Sequence, residues 1–240
     1  MATSPRPWIV APHEALRQLE DNLWTVDGVV PTIPGHSFPR KMMIVRRQDG
    51  TLLLHNAMPL DEPRLAELLA LGRPEILVAP SPFHCIDAHA VKARLGCKLY
   101  CPGPSAAAIG QVVKVDGTLG QLPADPAVRF EPLAGTRTGE GVFFVESAGG
   151  ARVSLLFCDA ILNVPHLPGF FGFVWKLLGF TGGPRCGPMW LKRAVHDRAA
   201  LRRDLERLAT TPKLHRLVPS HGPAIEEDPA GVLGRVAASL

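Results

Sequence analysis

Two apolar runs that end in polar residues decide the fold: residues 152–159 read RVSLLFCD, and residues 214–222 read LHRLVPSHG. Both runs are short, rich in aliphatic residues and bounded by turn residues, which predicts buried strands. Each strand therefore delivers a polar side chain at its C-terminal end, Asp159 in the first and His221 in the second. Because α/β folds place binding sites at the carboxyl ends of strands, we expect both side chains to belong to one site.

The elements around these runs alternate between strands and helices. The first half predicts strands at residues 23–26, 42–46, 51–55, 75–79 and 98–101, and helices at residues 61–71 and 87–95. The second half predicts strands at residues 127–132, 141–146, 152–157 and 214–219, and helices at residues 189–210 and 229–240. Two similar halves predict an α/β (α+β) fold, an αββα sandwich of two mixed β-sheets with helices on the outer faces. Since no repeat or linker stands out, a single domain over residues 1–240 is expected.

The composition excludes several classes of protein. The chain is 46% hydrophobic and 20% charged, which is typical of a globular protein rather than a disordered one. Its net charge of +4 comes from residues spread along the chain, without a basic run, so nucleic acid is not an expected partner. Five cysteines without a paired CxxC pattern indicate reduced thiols, and residues 1–12 lack a secretory signal. A cytoplasmic location is therefore expected.

A third polar residue, His84, follows the predicted strand at residues 75–79. The imidazoles of His84 and His221 with the carboxylate of Asp159 are a workable ligand set for zinc, or for iron or manganese with water in the open positions. The alternative is that each side chain is a hydrogen-bonded structural residue at a strand end. The pattern alone leaves both interpretations open.

The order of these pieces resembles the metallo-β-lactamase superfamily over nearly the whole chain. The matching stretches are residues 49–55 (DGTLLLH), 76–79 (ILVA) with the loop after it, 155–159 (LLFCD) and 218–222 (VPSHG). In that family a late strand ends in a metal-bridging Asp, which resembles Asp159, and the last strand ends in a His followed by Gly, which resembles His221 and Gly222. The resemblance implies the αββα fold and a metal-dependent hydrolase.

The first metal motif of the family is absent from this chain. Where the family has H-x-H-x-D-H, residues 80–85 read PSPFHC, so the first two His positions fall on Pro80 and Pro82. The family's middle His has no counterpart in residues 135–138, GTRT. The resemblance thus implies a degenerate, uncharacterised branch that retains the second metal site alone. Its implied ligands are His84, Asp159 and His221, with Cys85 as a weaker fourth ligand, and Asp87 with His89 as a second interpretation.

We therefore predict a metal-dependent hydrolase of an unknown small-molecule substrate, with one divalent metal per chain. Zinc is the first expectation, with iron or manganese next, and metal-bound water is the expected nucleophile. Asp159 is the expected catalytic residue. The alternative is a catalytically inactive protein of this fold, without metal, that binds an apolar ligand, a partner or a membrane surface through residues 167–180.

Four further residues are candidates for substrate contact. His36 lies in an early stretch, PGHS, that often overhangs the active site in the superfamily. His55 ends a predicted strand, and a structural role is its alternative. Phe171 and Trp175 belong to the apolar segment at residues 167–180, LPGFFGFVWKLLGF.

That apolar segment is the one large anomaly of composition. Its proline, its glycines and Lys176 argue against a helix that spans a membrane. The remaining interpretations are a core helix, a lid over an apolar substrate, a homodimer contact or a membrane-surface anchor. The last would gain from the cationic side chains of Lys176, Arg185, Lys192 and Arg193.

Overall fold

The computed structural model describes residues 7–33 and 36–240. The chain forms two compact units, the first ending at Phe130 and the second running from Glu131 to Leu240. Each unit contains one β-sheet and its own helices, and the two units are described in turn.

The first unit contains a seven-stranded mixed sheet whose strands lie side by side in chain order. Neighbouring strands are antiparallel from β1 to β4 and parallel from β4 to β7. Helix α1 follows β4, α2 follows β5, and α3 follows β6. The bounds are β1 (Arg17–Glu20), β2 (Leu23–Ile33), β3 (His36–Arg46), β4 (Thr51–His55), α1 (Glu62–Leu71), β5 (Arg73–Val78), α2 (Ala88–Leu95), β6 (Lys98–Cys101), α3 (Ala106–Gly110) and β7 (Gly117–Thr118).

Local chemistry explains why the elements of this unit begin and end where they do. In the β3–β4 hairpin, Asp49 Oδ1 accepts the backbone N–H of Thr51 at 2.9 Å, and Gly50 adopts a φ of 80°. That left-handed conformation favours glycine. Helix α1 begins after Asp61, whose carboxylate accepts the N–H of Arg64 at 2.9 Å as an N-cap. The predictions of the hairpin and of the capped helix are confirmed.

The second unit contains a four-stranded sheet in the order β11-β10-β9-β8. Strands β9 and β10 are antiparallel, and β10 and β11 are parallel. Helices α6 and α7 pack together and contribute leucines and valines to the core of this unit. The bounds are β8 (Val128–Pro132), which straddles the unit boundary, β9 (Gly141–Ser147), β10 (Arg152–Phe157), α4 (Gly169–Leu177), α5 (Pro188–Arg193), α6 (Arg198–Ala209), β11 (Leu214–Pro219) and α7 (Pro229–Ala238).

The prediction of one continuous helix over residues 189–210 is wrong. The chain leaves the helical path at residues 194–197, between α5 and α6. There the N–H of Arg137 donates to the carbonyl of Ala194 at 2.7 Å, and the N–H of His196 donates to the carbonyl of Gly135 at 2.9 Å. Asp197 then caps α6 by accepting the N–H of Ala200. Hydrogen bonds to a distant turn therefore override the helical periodicity.

Among the described residues, no helix combines the length and the apolar character needed to cross a bilayer.

Candidate functional site

Asp159 and His221 lie side by side in the second unit. Strands β10 and β11 are parallel, with Phe157 opposite Pro219, so each strand delivers its polar residue two positions later. The Nε2 atom of His221 lies 3.4 Å from Oδ1 of Asp159, and their side chains are 8% and 16% exposed. The structure therefore brings together the two side chains that the sequence placed at one sheet edge.

The backbone around His221 is held by a close approach between Gly222 and Asn163. Gly222 has a φ of 92°, and a Cβ at this position would lie 2.0 Å from the carbonyl oxygen of Asn163. Asn163 in turn donates its N–H to the carbonyl of His221 at 2.9 Å, and its side-chain amide donates to the carbonyl of Pro223 at 2.9 Å. Because the two segments approach so closely, only glycine fits directly after His221.

The side chain of Glu140 holds the backbone at Asp159 through two hydrogen bonds. This carboxyl group is fully buried just before β9, and its Oε1 accepts the N–H groups of Asp159 at 2.8 Å and of Ala160 at 2.9 Å. Burial, with a further contribution from the charge of Asp159, raises the pKa of Glu140 well above its usual range. Sequence reasoning missed this residue. The one signal was an acidic side chain directly before the apolar run at residues 141–145.

The donor atoms of Asp159 and His221 fit a divalent metal. Two ligands of a tetrahedral zinc ion, with bonds of about 2.1 Å, lie about 3.4 Å apart. The separation of Nε2 and Oδ1 is 3.4 Å, which matches the spacing of two ligands on one ion. An imidazole with a carboxylate also suits iron and manganese.

In the first unit, His84 ends a short 3₁₀ turn (Pro82–His84) in the loop after β5. Its Nδ1 lies 3.1 Å from Oδ1 of Asn56, and Nδ2 of Asn56 donates to the carbonyl of Lys41 at 2.9 Å. Because the second bond fixes the amide orientation, Oδ1 accepts the Nδ1 proton of His84. In a neutral ring this tautomer places the lone pair on Nε2, which is how metal-binding histidines are commonly oriented.

Cys85 and Asp87 are both engaged within the first unit. Cys85 is buried, its thiol donates to the carbonyl of Pro82 at 3.2 Å, and burial raises its pKa. Thiolate ligation at Cys85 would therefore be costly. Asp87 forms a buried ion pair with Arg40, whose guanidinium also donates to the carbonyl of Ala57 at 2.9 Å. The carboxylate of Asp87 thus already has a cationic partner.

The four predicted substrate contacts lie in different settings. His55 is 1% exposed, and burial, together with the charge of His84, lowers its pKa to about 3. His36 is the first residue of β3, while Pro34 and Gly35 of its predicted loop, and the His36 side chain, lie outside the described part of the chain. Phe171 and Trp175 are half-buried in α4.

Comparisons with known proteins identify the fold of the chain. No protein-family model matches the chain, and no curated protein matches it. A metallo-β-lactamase from Pontibacter korlensis matches with a TM-score of 0.62 and 14% identity, over 95% of this chain and 100% of its own. A metallo-β-lactamase from Hirschia baltica matches with a TM-score of 0.62 and 13% identity, over 94% and 98%. FIM-1 from Pseudomonas aeruginosa, in a mono-zinc form, matches with a TM-score of 0.61 and 13% identity, over 100% and 98%.

These similarities cover nearly the whole of each chain, and at such low sequence identity they establish the fold alone. The two mixed sheets with their helices, and the element order read from the sequence, agree with them. The resemblance drawn from DGTLLLH, LLFCD and VPSHG is confirmed at this level: the chain has the α/β metallo-β-lactamase fold.

Proposed function

We propose that the protein is a metal-dependent hydrolase of a small-molecule substrate, with one divalent metal per chain held by Asp159 and His221. The observation that carries the proposal is the 3.4 Å between His221 Nε2 and Asp159 Oδ1, at the carboxyl ends of two paired parallel strands. His84 is proposed as a third ligand on the family resemblance, and its bond to Asn56 supports a lone pair on Nε2. Cys85 is left out of the set because its thiol is buried and already donates to the carbonyl of Pro82, and burial raises its pKa.

A divalent cation at such a site supplies Lewis acidity and lowers the pKa of water. The chain's own residues supply position and proton transfer. Glu140 holds the backbone of Asp159, whose Oδ1 lies beside His221, and the other carboxylate oxygen is proposed to accept a proton from the attacking water. Asn163 and Gly222 fix the peptide of His221. Groups held this rigidly need little reorganisation during the reaction.

The test is the metal content per chain, measured by inductively coupled plasma mass spectrometry on untagged protein purified without chelator. The expected content is about one zinc, iron or manganese per chain. His221→Ala and Asp159→Asn should lose it while keeping the far-ultraviolet circular dichroism of the parent. His196→Ala is the matched control, because His196 is an exposed histidine of the same unit.

Two outcomes would contradict this reading. A content near zero after incubation with zinc, iron and manganese would refute a metal site. A content near two would show that other ligands rebuild the first metal site, despite Pro80 and Pro82. Once metal is found, substrate screening begins with β-lactams, because the similar solved structures carry the name metallo-β-lactamase.

A second candidate function is a binding protein of this fold without catalysis. Pro80 and Pro82 favour it, because they occupy the positions of two metal-binding histidines in the family motif and have no side chain able to bind a metal. The same measurement separates the two candidates, since a non-catalytic binder needs no metal.

A further inference from the structure

Helix α4 of the second unit turns large apolar side chains outward. Phe170, Phe173 and Leu177 are 73%, 63% and 76% exposed. Their spacing of three and four residues places them on one face of the helix. Leu178, which follows directly, is 54% exposed, and we call these four residues the apolar stripe. The core-helix interpretation of this segment is therefore wrong for the face that carries the stripe.

The side of α4 away from the stripe contacts the residues that flank the helix. A Cβ on Gly172 would lie 1.9 Å from the carbonyl oxygen of Leu167, so the first turn of the helix lies directly against the residue that leads into it. The ring of Trp175 meets that of Phe180 edge-on, at 5.2 Å between centroids. After the helix, Arg185 donates to the carbonyls of Gly179 and Gly182 at 3.4 and 3.3 Å.

The stretch of chain that carries the stripe has charges of one sign. Residues 160–196 contain no Asp and no Glu, whereas the same stretch carries Lys176, Arg185, Lys192 and Arg193. Lys176 and Lys192 are exposed, and Lys176 directly precedes Leu177 of the stripe. A segment with exposed aromatic and aliphatic side chains, basic neighbours and no acidic residue along residues 160–196 complements a membrane that carries negative headgroups.

We propose that the apolar stripe docks the protein on the surface of a bilayer that contains anionic lipid. Phe170, Phe173 and Leu177 enter the boundary between headgroups and acyl chains, and the lysines contact the headgroups. A second copy of the chain fits this surface less well, because its identical segment brings further basic residues and no acidic partner for Lys176 and Lys192. The proposal is independent of the metal site, since it involves neither Asp159 nor His221.

The test is sedimentation of the purified protein with vesicles. One set contains phosphatidylcholine alone, and the other contains about 30% phosphatidylserine. Binding is expected on the anionic set, and raising the salt from about 0.1 M to about 1 M should weaken it. The double variant Phe173→Ser with Leu177→Ser should lower the partition coefficient at least about tenfold. Lys176→Glu with Lys192→Glu should also lower it about tenfold or more.

Leu69→Ser is the matched control, because Leu69 is 48% exposed on α1 in the other unit, and it should bind as the parent does. Absence of binding to both vesicle sets would overturn the proposal, and so would equal binding to both. Light scattering gives an independent check. A dimer that the Phe173→Ser, Leu177→Ser variant converts to a monomer would assign the stripe to self-association and would also overturn it. The lysine variant keeps the test decisive if the serine variant fails to fold.

Discussion

Replacing Gly222 by alanine tests whether the backbone beside His221 is as tightly locked as the geometry indicates. The φ of 92° lies in the left-handed region, where a Cβ costs about 1–2 kcal/mol. In addition, the new Cβ would lie 2.0 Å from the carbonyl oxygen of Asn163 and 2.4 Å from its carbonyl carbon. Both atoms belong to the backbone, so relief requires the two segments to separate.

The magnitude follows from these two contributions. Forcing a carbon into packed surroundings costs about 1–3 kcal/mol, and with the conformational strain the total is about 2–5 kcal/mol. Separation of the segments would also lengthen the bond from Asn163 N–H to the carbonyl of His221, now 2.9 Å. Gly222→Ala should therefore weaken metal binding as well as stability, because His221 is a proposed ligand.

The assay is urea denaturation followed by circular dichroism, with the metal content measured alongside. Gly150→Ala is the matched control, because Gly150 has a similar φ of 82° in the same unit, and its new Cβ would meet a flexible carboxylate at an ordinary 3.5 Å. The free energy of unfolding of that variant should fall by about 1–2 kcal/mol, and its metal content should not change. If both variants lose the same free energy of unfolding, the close approach to Asn163 is not what requires glycine.

Three further predictions address the buried polar groups. Glu140→Ala should cost about 3 kcal/mol more than Glu140→Gln in urea denaturation, because glutamine still accepts the two N–H groups that Glu140 now binds; equal losses would contradict this role. The native His55 ring stays neutral down to about pH 3, whereas an unfolded histidine takes up a proton near 6.5, so acidification favours the unfolded chain. The protein should lose about 2 kcal/mol between pH 7 and pH 5 on this account, and His55→Gln should lack that loss. All five cysteines are buried, and burial raises the pKa of Cys97 and Cys101 to about 11 and of Cys186 to about 12. Ellman's reagent at pH 8 should therefore react with all five thiols in urea but with none in the native protein. Rapid reaction of even one thiol in the native protein would show that not all five are buried.

Much of the fold was predictable because its signals are local. Asp49 and Gly50 encode a hairpin, and Asp61 and Gly72 bound α1, within a few residues of the structure they form. The strands at residues 51–55, 98–101 and 214–219 were found with their observed bounds, because short apolar runs end sharply at turn residues. Such features need no knowledge of distant partners.

The predictions from sequence were wrong or incomplete where contacts with residues far away in the chain determine the local structure. Residues 194–197 satisfy helical periodicity, but Gly135 and Arg137, about sixty residues earlier, bind their backbone and split the helix. The apolar stripe shows a related limit. Periodicity places Phe170, Phe173 and Leu177 on one face, yet it does not say whether that face meets the core or the solvent. The exposed fractions of these three side chains in the structure settle the direction.

The same division runs through the candidate site. Asp159 and His221 were visible in the sequence, because a polar residue at the end of an apolar run is itself the signal. The residues that hold them were not, because Glu140 binds Asp159 across 19 positions and Asn163 reaches Pro223 across 60. In the first unit, Asn56 orients His84 across 28 positions. A sequence therefore names the groups that are proposed to carry the chemistry, whereas their rigidity depends on contacts made when the strands come together. Since supporting contacts of this kind commonly change metal affinity about 10–100-fold, ligand identity alone does not determine whether such a site binds its metal.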